Sequence, residues 1–540
     1  MTVDIASLVS DNLDIWTTAI ERKSGLGRGG GNRINLYGID RLRSLIVDLA
    51  VRGKLTSQQP DEEPAAMALA KFAKASRRKI ELGQARKPKA VLPLPADLPN
   101  LPEGWVWTQL GTIAEISPSN SADDQVDASF VPMALVSTRI DGAHEAEIRR
   151  WSEIKKGFTH FAEGDIGLAK ITPCFENGKA VIFENLANGI GAGTTELHVA
   201  RPWSDDVNRR YLLLTMKTAS YLHQGEARMT GTAGQKRVPR SYFESSPLPL
   251  PPLVEQQRIV TKVDELMALC DALETESASA IAAHQTLVEA LLTTLTTSTD
   301  DADLATNWTR LEAHFDILFT TEASVDALKQ TILELAVAGR LIASSGAVKQ
   351  GTLEDAGEWV GGHGFPKQYQ GNSTGEIPFL KVSDMNLPGN EREITVANNW
   401  VSPESLKSMK ARAHPAGTII FPKIGGAIAT NKRRILSVSA AIDNNCAGQI
   451  PAKGINIDWL FMVLSSIDMT QYQAGTSVPA LNMKRLAKHA IAIPNEDAQK
   501  VIITKVHDLM SLCELLAARV AASVETQRHL ADRIAELIAA

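Results

Sequence analysis

Cysteine is scarce and widely spaced. The four cysteines, Cys174, Cys270, Cys446 and Cys513, form no C-x-x-C pair, which argues against a disulfide framework or a zinc site and fits a reducing compartment. Long apolar runs are missing too: none approaches the ~18 residues of a membrane span. The opening MTVDIASLVSDNLDIW carries acids where a secretory signal needs basic residues before an apolar core. A soluble cytoplasmic protein is expected, with no membrane partner. Positive charge is not in excess, because 56 Lys and Arg stand against 62 Asp and Glu for a net charge of −6. Any nucleic-acid contact must therefore come from local basic patches. What is present, 44% hydrophobic and 22% charged residues over 540 positions, describes a folded chain of about three to four domains.

Catalytic signatures are also absent. No G-x-x-x-x-G-K-[ST] loop occurs, and Gly53-Lys54-Leu55 reads as a helix cap. Gly25, Gly27 and Gly30 fit G-x-G-x-x-G, but no strand precedes them, so a flexible loop is expected. There is no Asn/Asp-Pro-Pro-aromatic tetrad of an amino-methyltransferase, no H-E-x-x-H and no nucleophile elbow. Asp165, Glu176 and Lys170 resemble the acid-plus-lysine set of a metal nuclease only loosely. No catalytic residue and no metal ligand is assigned.

The chain repeats itself. TKVDELMALC from Thr261 matches TKVHDLMSLC from Thr504 at seven of ten positions, and LIVDLAVRGKL from Leu45 matches TILELAVAGRL from Thr331 at six of eleven. Between these blocks, GDIGLAKITPCFENGK from Gly164 aligns with GTIIFPKIGGAIATNK from Gly417, pairing Lys170 with Lys423 and Lys179 with Lys432. VPMALVS from Val131 likewise reads like IPFLKVS from Ile377. Several matches in one order mean two tandem copies of one unit.

Each copy runs helix, strand-and-loop domain, long helix. Helices are expected over 38–51 and 324–337, ending at Gly53 and Gly339. Strands are expected at 181–183, 197–199, 377–382 and 418–421. The long helices follow PLPLPPLVEQ and AIAIPNEDAQ and carry a heptad seam. In the first, the seam is Ile259, Val263, Leu266, Cys270 and Leu273, resuming at Leu287 and Leu291; in the second it is Ile502, Val506, Leu509, Cys513, Leu516, Val520, Leu530 and Ile534. Ser277, His284 and Gln527 interrupt it as polar register pins. Two paired helices of ~60 Å would form a rigid spacer. The fold class is α+β: two tandem α/β domains separated by long paired coiled-coil helices, with a pseudo-twofold internal repeat. The divisions are 1–104 (helical region and linker), 105–251 (first domain), 252–350 (central long helix and second opening helix), 351–494 (second domain) and 495–540 (last long helix). Within the first, KFAKASRRKIELGQARKPK holds eight basic residues in nineteen before a Pro-rich stretch. It reads equally as a contact for DNA phosphates or an acidic partner and as a solvated linker. The second copy lacks it.

These residues resemble the specificity (S) subunit of type I restriction–modification enzymes, over essentially the whole chain. The marks are LRSLIVDLAVRGKL at Leu42, DEEPA at Asp61, LPEGWVW at Leu101, AKITPCFENGKA at Ala169 and GAGTTELHV at Gly191. PLPLPPLVEQQRIVTKVDELM at Pro247, LKQTILELAVAGRL at Leu328 and IPFLKVSDMN at Ile377 complete them. The resemblance implies two target-recognition domains, long helices that hold methyltransferase (M) subunits, restriction (R) subunits as further partners, and no cofactor in this chain. S-adenosylmethionine, ATP and magnesium would serve the partner subunits. The missing DEEPA and LPEGW block leaves open where the second recognition domain starts.

Each domain should set loop side chains in a major groove of double-stranded DNA, with Lys and Arg on phosphates and Asn, Thr or Gln on base edges. In the first copy the candidates are Lys170, Thr172, Asn177, Lys179, Thr194, Thr195, Lys236, Arg237 and Arg240. In the second they are Lys423, Asn431, Lys432, Arg433, Arg434, Asn444, Asn445, Thr476 and Lys484. The runs Lys236–Arg237 and Lys432–Arg433–Arg434 ask for an anion, since like charges repel. Glu196 is placed to accept from cytosine N4 or to orient its loop. The rival readings are a standalone metal-dependent nuclease and a coiled-coil scaffold without DNA.

Overall fold

The computed structural model describes residues 5–23, 33–232, 234–342, 348–475 and 478–539; Gly25, Gly27 and Gly30 lie outside them. The chain divides into two compact units, Met1–Ser279 with Val524–Ala540, and Ala280–Ser523. The helices Leu253–Thr297 and Glu496–Ala539 each cross that division along the chain. Among the described residues no helix is long and apolar enough to cross a membrane.

In the first unit the helix Tyr37–Val51 buries Ile39, Leu42, Ile46, Leu49 and Ala50 at spacings of three and four, an amphipathic stripe against the core. It ends at Gly53, whose φ of +68° lets Lys54 N–H reach back to Leu49 C=O at 3.0 Å. The helix Glu322–Val337 of the second unit ends the same way, with Gly339 at φ +71° and Arg340 N–H on Leu335 C=O at 2.9 Å. The expected caps are both present.

The first strand-and-loop domain is tied shut by Val106–Gln109 pairing antiparallel with Pro247–Leu250. Between them lie two four-stranded sheets. One runs Glu147–Arg150, Asp127–Val131, Ile190–Gly193, Thr159–Ala162; the other runs Ala114–Ile116, Leu197–Pro202, Ile166–Ala169, Ala180–Ile182. Ile166, Leu168, Ala180 and Ile182 pack with Leu212, Leu213 and Phe243 in one core. The second domain repeats the closure, Lys349–Thr352 on Ala490–Ile493. Its larger sheet has five strands, ordered Gly357–Gly361, Cys446–Pro451, Ile419–Pro422, Arg434–Leu436, Glu393–Ile394.

The repeat extends to side chains that fasten each domain to its long helix. Gln256 accepts from Asn208 N–H at 2.7 Å and donates to Pro251 C=O at 2.8 Å. Gln499 accepts from Asn456 N–H at 2.7 Å and donates to Pro494 C=O at 2.8 Å. Asn208 and Asn456 then cap the helices Arg209–Met216 and Ile457–Ser466, their side-chain Oδ1 atoms accepting from N–H groups of the first turn.

Three expectations shift. The strand expected over 377–382 stops at Leu380, because Asp384 accepts from Lys381 N–H at 2.8 Å and bends the chain into the 3-10 turn Val382–Asn386. In Leu253–Thr297 the seam resumes at Val288, Leu292 and Leu295, leaving Leu287 52% exposed. In Glu496–Ala539 it holds through Ile502, Val506, Cys513 and Val520, then passes to Ala531 and Ala535 and leaves Leu530 exposed. A straight α-helix drifts ~20° per heptad, so a seven-residue seam slips by one position, ~100°, over about four to five heptads. Within the second unit, Val288, Leu292 and Leu295 share one core with Ile502, Val506, Cys513 and Val520.

Candidate nucleic-acid interface

Three loops meet in each domain through main-chain hydrogen bonds. In the first, Lys170 follows the buried strand Ile166–Ala169 and donates its N–H to Glu196 C=O at 2.9 Å. Its own C=O accepts from Val238 N–H at 2.8 Å, and Thr172 N–H reaches Lys236 C=O at 3.0 Å. In the second, Lys423 follows Ile419–Pro422 and donates to Asn445 C=O at 2.8 Å. Its C=O accepts from Leu481 N–H at 2.9 Å, and Gly425 N–H reaches Pro479 C=O at 2.7 Å. The two knots correspond bond for bond, equating Lys170 with Lys423, Glu196 with Asn445, Thr172 with Gly425 and Lys236 with Pro479.

The knot of the first domain gathers Lys170, Thr172, Thr194, Thr195, Lys236 and Arg237. Arg237 forks onto Glu196, Nε to Oε2 at 2.9 Å and Nη2 to Oε1 at 2.8 Å, and this guanidinium holds the Glu196 carboxyl below the usual range. Glu196 is thus the anion for Arg237, which leaves one unmatched charge in the Lys236–Arg237 run where two were expected. Lys236 is exposed and has no side-chain partner among the described residues. Thr195 is exposed, while Thr194 Oγ1 accepts from Glu196 N–H at 3.1 Å and Thr172 Oγ1 donates to Glu176 at 3.1 Å. Lys179 is turned away: its Nζ donates to Met133 C=O at 2.8 Å, so it fastens a loop. Asn177 is exposed beyond the knot, and Arg240 lies against Glu244 at 2.8 Å on the helix Arg240–Ser245.

The second domain overturns more. Arg433 is 3% exposed. Its Nε donates to Leu464 C=O at 3.0 Å and its Nη2 to Ile467 C=O at 3.2 Å, the last turn and cap of the helix Ile457–Ser466. A guanidinium there meets the negative end of the helix dipole, so the acceptors this cation finds are main-chain carbonyls inside the domain; burial lowers its pKa. Asn431, left-handed at φ +49°, accepts from Arg433 Nη2 at 3.0 Å and from Met469 N–H at 3.3 Å. Arg434 donates to Arg433 C=O at 2.7 Å and Met385 C=O at 2.9 Å, and Lys432 to Asn386 Oδ1. Asn445 is drawn back onto Asp443 at 3.0 Å. Lys423 at the knot, Asn444 beside it and Lys484 further along remain without side-chain partners among the described residues; Asn444 and Lys484 are exposed. Thr476 lies outside the described residues.

The nuclease set does not assemble. Asp165 and Lys170 stand at opposite ends of Ile166–Ala169, five residues or ~16 Å apart along the strand. Asp165 is 1% exposed and forked by Arg201 at 2.9 and 2.8 Å. Among the described residues no cluster of three His, Cys, Asp or Glu could hold a metal. Two exposed residues escaped the sequence reading. Gln235 sits at a turn closed by its own N–H on Thr232 C=O at 3.0 Å, between Gly234 and Lys236; the glycines around it were the available signal. Arg485 stacks 5.4 Å from the Tyr472 ring, a contact no sequence pattern announces.

Similarity to known proteins follows the same division. The type I restriction modification DNA specificity domain matches residues 102–283 and 347–526, one stretch per knot. The type I restriction enzyme EcoAI specificity subunit of Escherichia coli is 54% identical over 346 residues, spanning 63% of this chain and 58% of that protein. The EcoEI specificity subunit of the same organism is 39% identical over 604 aligned positions, covering 98% of this chain and 99% of its own. A solved chain from a type I R-M system shares the fold at a TM-score of 0.50 and 16% identity, over 82% of this chain and 99% of that one. With the domain found twice and a relative aligned almost end to end, the chain belongs to the family of type I restriction–modification specificity subunits, which recognise DNA sequence.

Proposed function

We propose that this chain reads a bipartite, asymmetric DNA target, one half-pattern per domain, and docks the methyltransferase and restriction subunits that carry out the chemistry. The observation behind this reading is the pair of matched knots with unmatched side chains. A common main-chain frame offers loops to a groove in the same way twice. The side chains on it differ, Thr172, Glu196 and Arg237 against Gly425, Asn445 and Ala480, and base edges are read by side chains. The chain itself is proposed to be non-catalytic, with S-adenosylmethionine, ATP and magnesium bound by its partners in the cytoplasm. The scaffold reading has no observation in its favour.

Methylome sequencing of cells carrying this chain with its methyltransferase subunit tests the proposal. Two short, different base patterns at a fixed separation are expected. One contiguous motif, or two identical halves, would overturn it.

A further inference from the structure

The basic insert that only the first copy carries is built into a surface. The helix Ala65–Glu81 buries Ala65, Ala68 and Phe72 in the core of the first recognition domain. At ~100° per residue, Lys74, Arg77 and Arg78 then fall on the face opposite Phe72. They are exposed and make no ion pair among the described residues. Glu81 shares their face and pairs with none of them. Lys71, on the flank, is by contrast matched twice, to Glu63 at 2.7 Å and Asp206 at 3.4 Å. Lys74, Arg77 and Arg78 thus leave three outward charges unmatched, while Lys79, close to the Phe72 side, is half-buried and also makes no ion pair among the described residues.

The chain after the helix carries the charge toward the reading loops. Arg86 donates its N–H to Glu115 at 3.2 Å and its Nη2 to Ser119 Oγ at 3.4 Å. Arg86, Lys87 and Lys89 share with Arg240 a shallow cleft whose carboxylates are Glu115 and Glu244. Ser117, in the same cleft, bonds Val199 C=O at 2.8 Å. Val199 is three residues, ~10 Å, along the strand from Glu196 at the knot. That is less than the ~12 Å width of one major groove.

From these outward unmatched charges and this continuity we infer that Lys74, Arg77 and Arg78, with the Arg86–Lys89 segment, form a phosphate-binding arm. It grips the DNA backbone flanking the first half-pattern, outside the bases read, and has no counterpart beside the second. The inference rests on the proposed function. An acidic protein surface fits the outward charges alone but gives no reason for the basic chain to lead to the knot.

The test uses the complete complex with methyltransferase subunits, bound to a random-sequence duplex of about 40 base pairs over a range of salt. A K74A/R77A/R78A triple variant leaves Phe72 and the helix packing untouched. Each lost phosphate contact removes ~0.9 from the slope of log K against log salt, so the slope should flatten by about 2 to 3 and affinity fall about tenfold or more at low salt. Hydroxyl-radical footprints on the cognate site should lose protection on one flank only, with the methylated motif unchanged. An unchanged slope overturns the arm, as does an unchanged slope with loss of a co-purifying subunit, which would mark a protein contact. Failure of the wild-type complex to methylate a bipartite motif would instead refute the proposed function, which the random-duplex slope does not measure.

Discussion

Replacing Arg433 by methionine separates two readings of the same three-residue run. Methionine keeps much of the stem volume and removes the guanidinium. The carbonyls of Leu464 and Ile467 and the Oδ1 of Asn431 would lose a buried donor, and an unsatisfied buried acceptor costs about 1–3 kcal/mol. The favourable meeting of a cation with a helix C-terminus, up to ~2 kcal/mol when partly buried, goes as well. Relief from burying a charge offsets part of this, since the pKa of Arg433 is itself depressed by burial. A net loss of about 3 kcal/mol follows, which for a domain of this size lowers the melting temperature by roughly 6–12 °C. Calorimetry of the full chain should show it in the transition of the second unit, while the salt slope of DNA binding stays as in the wild type. Arg433→Lys should recover only part, because an ammonium cannot span acceptors arranged for a fork. A normal melting profile combined with a slope flattened by ~0.9 would return Arg433 to the phosphate contacts and refute the argument.

Lys170→Ala and Lys423→Ala should each flatten the salt slope by ~0.9 and leave unfolding unchanged; a lowered melting temperature would make them structural. Arg237→Met should release Glu196 from its fork and change base preference in the first half-pattern alone, as read by methylome; a change in the second half would break the one-domain, one-pattern assignment. Acid should loosen the first unit through His198, which is buried with its ring on Val238 C=O at 3.0 Å. Burial depresses its pKa, so the unfolded chain takes up the proton first as pH falls. Its contribution is therefore complete above about pH 6.5 and is lost as pH drops toward the lower folded value. Denaturant midpoints at about pH 7.5 and 5.5 should differ less in His198→Asn than in the wild type; an equal difference would acquit His198.

The repeat is legible because its anchors are fixed residue types: Lys170 and Lys423, the helix-capping glycines, the apolar heptad residues. The third loop of each knot was harder. Lys236 and Pro479 join through main-chain carbonyls from far along the chain, and such bonds leave no residue signature. The Lys432–Arg433–Arg434 run misled for a related reason. Charge count does not say which way a side chain turns, and Asn431 in the left-handed region aims Arg433 inward at a helix end that is distant in sequence. Asp165 and Lys170 looked adjacent because five positions are few on paper; a strand spreads them to its two ends. The slipped seam at Val288 and Ala531 reflects the mismatch between 3.6 and 3.5 residues per turn, which grows with helix length.

The knots have a bearing on how such a protein changes its target over time. The three bonds common to both knots run from a peptide N–H to a peptide C=O, groups that nearly all residues carry alike. Substitution at a loop tip therefore leaves the frame standing, and the inventory of tips can drift residue by residue without passing through unfolded intermediates. The two domains document the outcome: one frame, kept to within 0.3 Å in its hydrogen-bond lengths, dressed with a glutamate–arginine pair in one case and asparagine with alanine in the other. What a lineage must conserve is the geometry. What it reads is left open to selection.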